Sequence, residues 1–266
     1  FVKPGQTMTE STFNRIIGDV EKIYKPLIAA KGQELVINRL WQDSEVNAGA
    51  SRSEGRPIIN EVFMYGGLAR HPAITEDAFA IVVCHELGHL VGGAPLVSTV
   101  WGKASNDGQA DYFAVTKCVR KYFETKANNE QIASSKKMPV VVQSKCLLAW
   151  GKTKEYSICV RTAQATFALA NFFAAMERSI TSVTFETPSK KVVTSTFNGH
   201  PDAQCRLDTY FQGSLCQVSH KVEFSNIDAN KGACINYNQD GSRPKCWFKP
   251  GQSTASTSGG FQNRRN

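Results

Sequence analysis

Apolar residues recur at helical spacing from Thr7 to Ala30, where Phe13, Ile16, Ile17, Val20, Ile23, Tyr24, Leu27 and Ile28 alternate with polar positions after the polar starts Thr9 and Thr12. That period predicts an amphipathic opening helix. The pattern then shortens: Leu35 to Ile37 with Leu40 and Trp41, Val46 to Arg52, and Pro57 to Phe63 read as three short strands, punctuated by Gly49, Gly55, Gly66 and Gly67. They predict a small sheet beside the helix. Past Thr75, an N-cap with Asp77 in the first turn, an apolar run through Phe79, Ile81, Val82, Val83, Leu87 and Leu90 stops at Gly92-Gly93 and predicts a buried helix. Another helix is expected over about Ser105 to Thr125, then an exposed loop over Lys126 to Lys137. The alanine-rich stretch Thr162 to Ile180 predicts a core helix packed on several sides. Pro201 to Phe211 predicts a shorter helix, with Pro in the first turn and Gly213 past the end. Residues 1–250 are expected to form one domain with a cysteine-containing extension from about 207, and 251–266, rich in Ser, Thr, Gly and Asn, a disordered tail.

Composition narrows the class. The 266 residues are 41% hydrophobic and 20% charged, enough to bury a core, and no run reaches the ~18 apolar residues of a membrane span, so no integral membrane protein is expected. Eight cysteines lie between Cys84 and Cys246 without a CxxC pair. An even count in that arrangement predicts disulfides and an extracytoplasmic, periplasmic or secreted location; the chain opens at Phe1, so any export signal is not present in it. Cys205 with Cys216, and Cys234 with Cys246, are near enough in sequence to pair. The net charge is +8, and nine basic residues face two acidic ones between Lys117 and Lys154. That segment is either a solvated charged loop or a dock for anionic cell-envelope polymers; without interleaved aromatic residues it does not predict specific nucleic-acid binding.

The chemistry concentrates in His85-Glu86-Leu87-Gly88-His89. A spacing of four turns a helix by ~400°, so both imidazoles lie on one face and can hold one zinc ion. Glu86 can then reach a metal-bound water as general base. Zinc needs a third protein ligand and an open position. Asp107 is the candidate, on a helix that begins 18 residues after His89, and Asp111, one turn on, is placed to hold a ligand histidine through its other ring nitrogen.

In this order the residues resemble the gluzincin metallopeptidases, within them the CAAX prenyl endopeptidase and HtpX-type group. Val46-Asn47-Ala48-Gly49-Ala50 looks like the family's Asn-Ala-x-Ala edge strand, Gly66-Gly67-Leu68 leads into the His-Glu-x-x-His helix, Asp107 and Asp111 match the family's Glu-x-x-x-Asp, and His200-Pro201 is followed by Arg206 six places after the His. His71-Pro72 has Asp77 at that offset, so His71 is expected to be a surface turn residue. The resemblance implies an α+β, zincin-like fold and a zinc endopeptidase acting on protein or peptide substrates. His85, His89 and Asp107 would bind one zinc ion per chain, with Glu86 as base and Asp111 orienting a ligand histidine. His200 would donate to the oxyanion, Arg206 would anchor its segment, and Asn47, Ala48, Gly49 and Ala50 would take an extended substrate. Asp107 stands where the family has the longer Glu, so its helix must sit closer to the metal or the site must be looser. The alternative is a pseudoenzyme, a disulfide-stabilised binding module that kept the fold while Asp107 weakened or repurposed the metal site.

Overall fold

The hydroxyl of Thr9 accepts from the backbone of Thr12 and starts α1 (Glu10–Ala29), whose buried stripe Phe13, Ile16, Ile17, Val20, Tyr24 and Ile28 follows the helical period. The computed structural model describes residues 8–53, 55–100, 102–177 and 182–251; the expected tail beyond 251 lies outside them. Three strands follow: β1 (Gln33–Leu40), β2 (Ala48–Ser53) and β3 (Ile58–Tyr65). β3 is central, parallel to β1 and antiparallel to β2, which leaves β2 at an edge. Leu35, Ile37, Val62 and Met64 turn one face of this sheet into the main core, shared with α1 and with α3 (Glu76–Val91). Gly66 and Gly67, read above as punctuation, instead open a short helix, α2 (Gly66–Arg70).

α3 is capped by Thr75, whose hydroxyl accepts from Ala78 N, and is buried on nearly every side. Its apolar residues therefore need not form a stripe. A hairpin that the sequence pattern did not reveal, β4 (Leu96–Thr99) and β5 (Gly102–Ser105), leads into the next helical segment. That segment is not uniform: α4 (Asp107–Phe113) and α5 (Val119–Glu124) are joined by a π-helical turn over Ala114–Cys118. The wider turn shifts the face that follows it, and Cys118 is bonded to Cys84 of α3.

The expected exposed loop at 126–137 contains a helix, α6 (Asn129–Ser134). Asn129 bonds the carbonyls of Phe123 and Lys126 and receives Arg161, so long-range polar contacts order a segment that has no apolar period. α7 (Val140–Trp150), α8 (Lys154–Met176) and α9 (Ala203–Leu215) build a second core with it around Val142, Val160, Leu207 and Phe211. The core helix thus begins well before Thr162. α9 is capped by Asp202, so Pro201 precedes the cap. Gly213 lies inside α9 rather than past it, and it is glycine because a Cβ there would sit 2.4 Å from Val115 of the π-helical turn.

Four disulfides join Cys84 to Cys118, Cys146 to Cys159, Cys205 to Cys246 and Cys216 to Cys234. The two pairs expected from sequence proximity are exchanged. The segment after Cys234 returns to the first turn of α9 because Trp247 is seated on Gly108 of α4, with Tyr112 and Phe248 beside it. No helix among the described residues is long and apolar enough to cross a membrane.

One buried cation carries a pH signature. Lys117 of the π-helical turn donates to the carbonyl of Ser219 at 2.9 Å, above the ring of Phe224, and has no carboxylate partner among the described residues. Burial, helped by Arg120, pushes its ammonium from 10.5 down to about 7. Between those values the unfolded chain holds a proton that the folded chain has released, so stability rises with pH. The unfolding free energy should climb by up to ~1.4 kcal/mol per pH unit between pH ~7 and ~10 relative to Lys117→Met. Urea-denaturation series of the two proteins measure that difference; parallel curves would contradict it.

Candidate metal centre

α3 presents His85 and His89 one turn apart, and α4 meets it where both chains are smallest. A Cβ on Gly88, between the two histidines, would stand 2.8 Å from the Cα of Ala110. This close approach brings the short side chain of Asp107 to the imidazoles. One ligand atom from each of His85, His89 and Asp107 lies within 4.8 Å of the other two.

The outer ring nitrogens decide what the inner ones can do. Nδ1 of His89 is 2.9 Å from the carbonyl oxygen of Ser105, which can only accept, so Nδ1 carries the hydrogen. Nδ1 of His85 is 2.6 Å from Oδ1 of Asp111 and donates to it. In the neutral rings both Nε2 atoms then offer lone pairs, 3.1 Å apart. Oδ1 of Asp107 lies 3.8 Å from Nε2 of His85 and 3.9 Å from Nε2 of His89. It is shut off from solvent and receives no properly directed hydrogen bond. Three acceptors thus converge with no donor between them, an arrangement that a cation satisfies. Two imidazoles and a carboxylate are a donor set suited to zinc.

Asp111 holds His85 in place and is itself held. Arg206 of α9 grips it with two bonds of 2.8 Å, and the hydroxyl of Tyr210 donates to it at 2.6 Å. Burial alone would raise the Asp111 carboxyl, but Arg206 and His85 hold it well below the usual carboxylate range. Burial disfavours a charge on His85, and the Asp111 carboxylate more than reverses this and raises it. Tyr210 stands one turn after Arg206, a spacing that places both on one helix face, yet nothing in its local sequence marked it.

Glu86 is nine-tenths buried, and among the described residues no hydrogen bond or ion pair occupies its carboxylate. His200 lies on the strap before α9, with its side chain 70% exposed and Nε2 3.1 Å from Oδ1 of Asp107. The strap is fixed on both sides. Val193 and Phe197 donate to the carbonyls of Lys245 and Trp247, and Asn106, the cap of α4, donates to the carbonyl of Phe197 and to Asn198. Arg243 completes the clamp by bonding Gln109 at 2.7 Å. The C-terminal segment, whose sequence Lys245 to Pro250 reads as a hook packing an aromatic pair onto the core, buries Trp247 and Phe248 and braces the turn that carries Asp107.

β2 runs beside α3: Arg52 donates to the carbonyls of Leu90 and Lys103. Ala48, Gly49 and Ala50 belong to this edge strand, whereas Asn47 precedes it and turns its side chain onto Ala48 N and Glu45. His71 is a turn residue away from the centre, its Nδ1 accepting from Ala73 N. Comparison with protein-family models, with characterised proteins and with solved structures finds no match to this chain.

Removing Arg206 leaves the Asp111 carboxylate buried without its strongest partner. Arg206→Met should cost about 3–5 kcal/mol in chemical denaturation, and the loss should shrink when Asp111→Leu is added, because the two residues act as one unit. Equal losses in the single and double variants would contradict the pairing.

Proposed function

We propose that the protein is a zinc-dependent endopeptidase of zincin-like architecture. The observation that carries this reading is the convergence of two Nε2 lone pairs and the orphaned Oδ1 of Asp107 beside a partner-free Glu86. A bound zinc ion supplies Lewis acidity, polarising a peptide carbonyl and bringing the pKa of water to ~7.

The chain's own residues do the remaining work. His85, His89 and Asp107 hold the ion. Asp111 and Arg206 keep His85 in the tautomer that offers Nε2 inward. Glu86 takes a proton from the attacking water and returns it to the departing amine. His200 donates a hydrogen bond to the oxyanion that forms on the carbonyl carbon's oxygen. The edge of β2 over Ala48 to Ala50 pairs with an extended peptide, the substrate chain adding a strand beside α3. Four disulfides support an extracytoplasmic, periplasmic or secreted site of action.

Protein purified without added metal should carry one zinc per chain by elemental mass spectrometry, and Asp107→Ala should lose it. Glu86→Gln should keep the zinc while cleavage of a peptide library falls by about 10²–10⁴-fold. Asp107→Glu should lower cleavage as well, since the spacing set at Gly88 and Ala110 suits the shorter acid. Zinc bound with no cleavage by the parent, or no zinc even after zinc is supplied, would replace the peptidase by the binding module.

A further inference from the structure

The basic segment 117–154 is largely neutralised within the fold. Arg120 pairs with Glu155, Lys121 with Glu223, Lys126 with Asp19 and Lys145 with Asp240. Lys117 is buried, and Lys154 donates to the carbonyl of Glu124. Lys136, Lys137 and Lys152 are left exposed, with no partner for their ammonium groups among the described residues.

These three line one groove of about 1080 Å³ between α6, α7 and α8, which Lys126 and Lys154 also border and to which Glu130 contributes the one acidic side chain. Its volume is at the upper end for a ligand-binding cavity. Lys136 and Lys137 precede α7, and Lys152 follows it. An 11-residue helix separates them by ~16 Å. The groove wall also includes Leu147 and Tyr156, with Met138 and Val160 largely buried, beside the uncharged polar Gln143 and Ser157. The charge is therefore concentrated at two ends, with apolar surface in the middle.

That distribution selects among anions. A uniformly charged polymer would lay charges onto the apolar stretch, where they lose hydration without gaining a partner. A nucleic-acid strand, with a charge each ~3.4 Å, would place several there. The wall also lacks arginine, whose planar fork suits phosphate. An extended peptide advances ~3.3 Å per residue, so about five residues span the two lysine clusters. We propose that this groove binds a polypeptide segment with acidic residues at both ends of an apolar stretch of about five residues. This site is separate from the metal centre and does not depend on the peptidase reading.

Fluorescence anisotropy with a labelled Glu-Glu-Leu-Ser-Leu-Ser-Leu-Glu-Glu peptide tests it on the full chain. The parent should bind saturably, with affinity falling as salt rises. Lys136→Glu with Lys137→Glu, and separately Lys152→Glu, should each weaken binding about tenfold, and replacing the peptide's leucines by serine should do the same. Lys22→Glu, Lys31→Glu and Lys231→Glu together, on exposed positions outside the groove, should leave it unchanged. Equal weakening by that triple variant would reduce the effect to net charge and overturn the proposal. So would tighter binding of oligoglutamate, polyphosphate or anionic lipid vesicles than of the peptide, or no saturable binding at all.

Discussion

A carboxylate with no solvent exposure stands at the junction of three helices, and the candidate centre depends on it. Asp111 on α4 accepts from His85 on α3 and from Arg206 and Tyr210 on α9. An ionised group so placed is tolerable only when its oxygens are filled by donors and its charge is balanced. Arg206 provides the balance, and its own burial is relieved by the rings of Phe173 and Tyr210. His85 accordingly has one ring nitrogen committed, and its other nitrogen is free for an ion. The third candidate ligand, Asp107, owes its reach to a different feature, the close helix contact at Gly88 and Ala110.

The residues legible in the sequence were those whose meaning is local. His85 and His89 lie four apart on a capped helix, and the structure brings them together on one face. Asp107 and Asp111 repeat the spacing on the next helix, and each meets His85 by a different ring nitrogen. The opening helix and the strands β1 and β3 follow their apolar periods. What escaped was long-range. The exchange of partners among Cys205, Cys216, Cys234 and Cys246 depends on where Trp247 packs, which no spacing rule contains. The helix at 129–134 is ordered by Arg161 from a distant part of the chain. Likewise, the basic segment loses most of its free charge to acids from elsewhere in the sequence.

α3 connects the candidate metal centre and the lysine-rimmed groove without belonging wholly to either. Its C-terminal half carries the histidines, while Asp77 near its start is gripped by Arg161 of α8 through two bonds of 2.8 and 2.7 Å. Arg161 also reaches Asn128 and Asn129, beside the lysine-rimmed groove. The helix is tied to its neighbours at both ends and, through Cys84, in its middle. Such a rod holds a fixed geometry for the ligands better than a loop would.

The C-terminal clamp also has a bearing on when the centre can exist. Arg243 meets Gln109 across 134 positions of sequence, and ribosomes add ~5–20 residues each second. For roughly 7–27 s after Gln109 is made, the turn that carries Asp107 lacks the side chains that brace it in the folded protein. A growing chain therefore has both histidines and the acid well before it has the segment that braces the turn carrying Asp107.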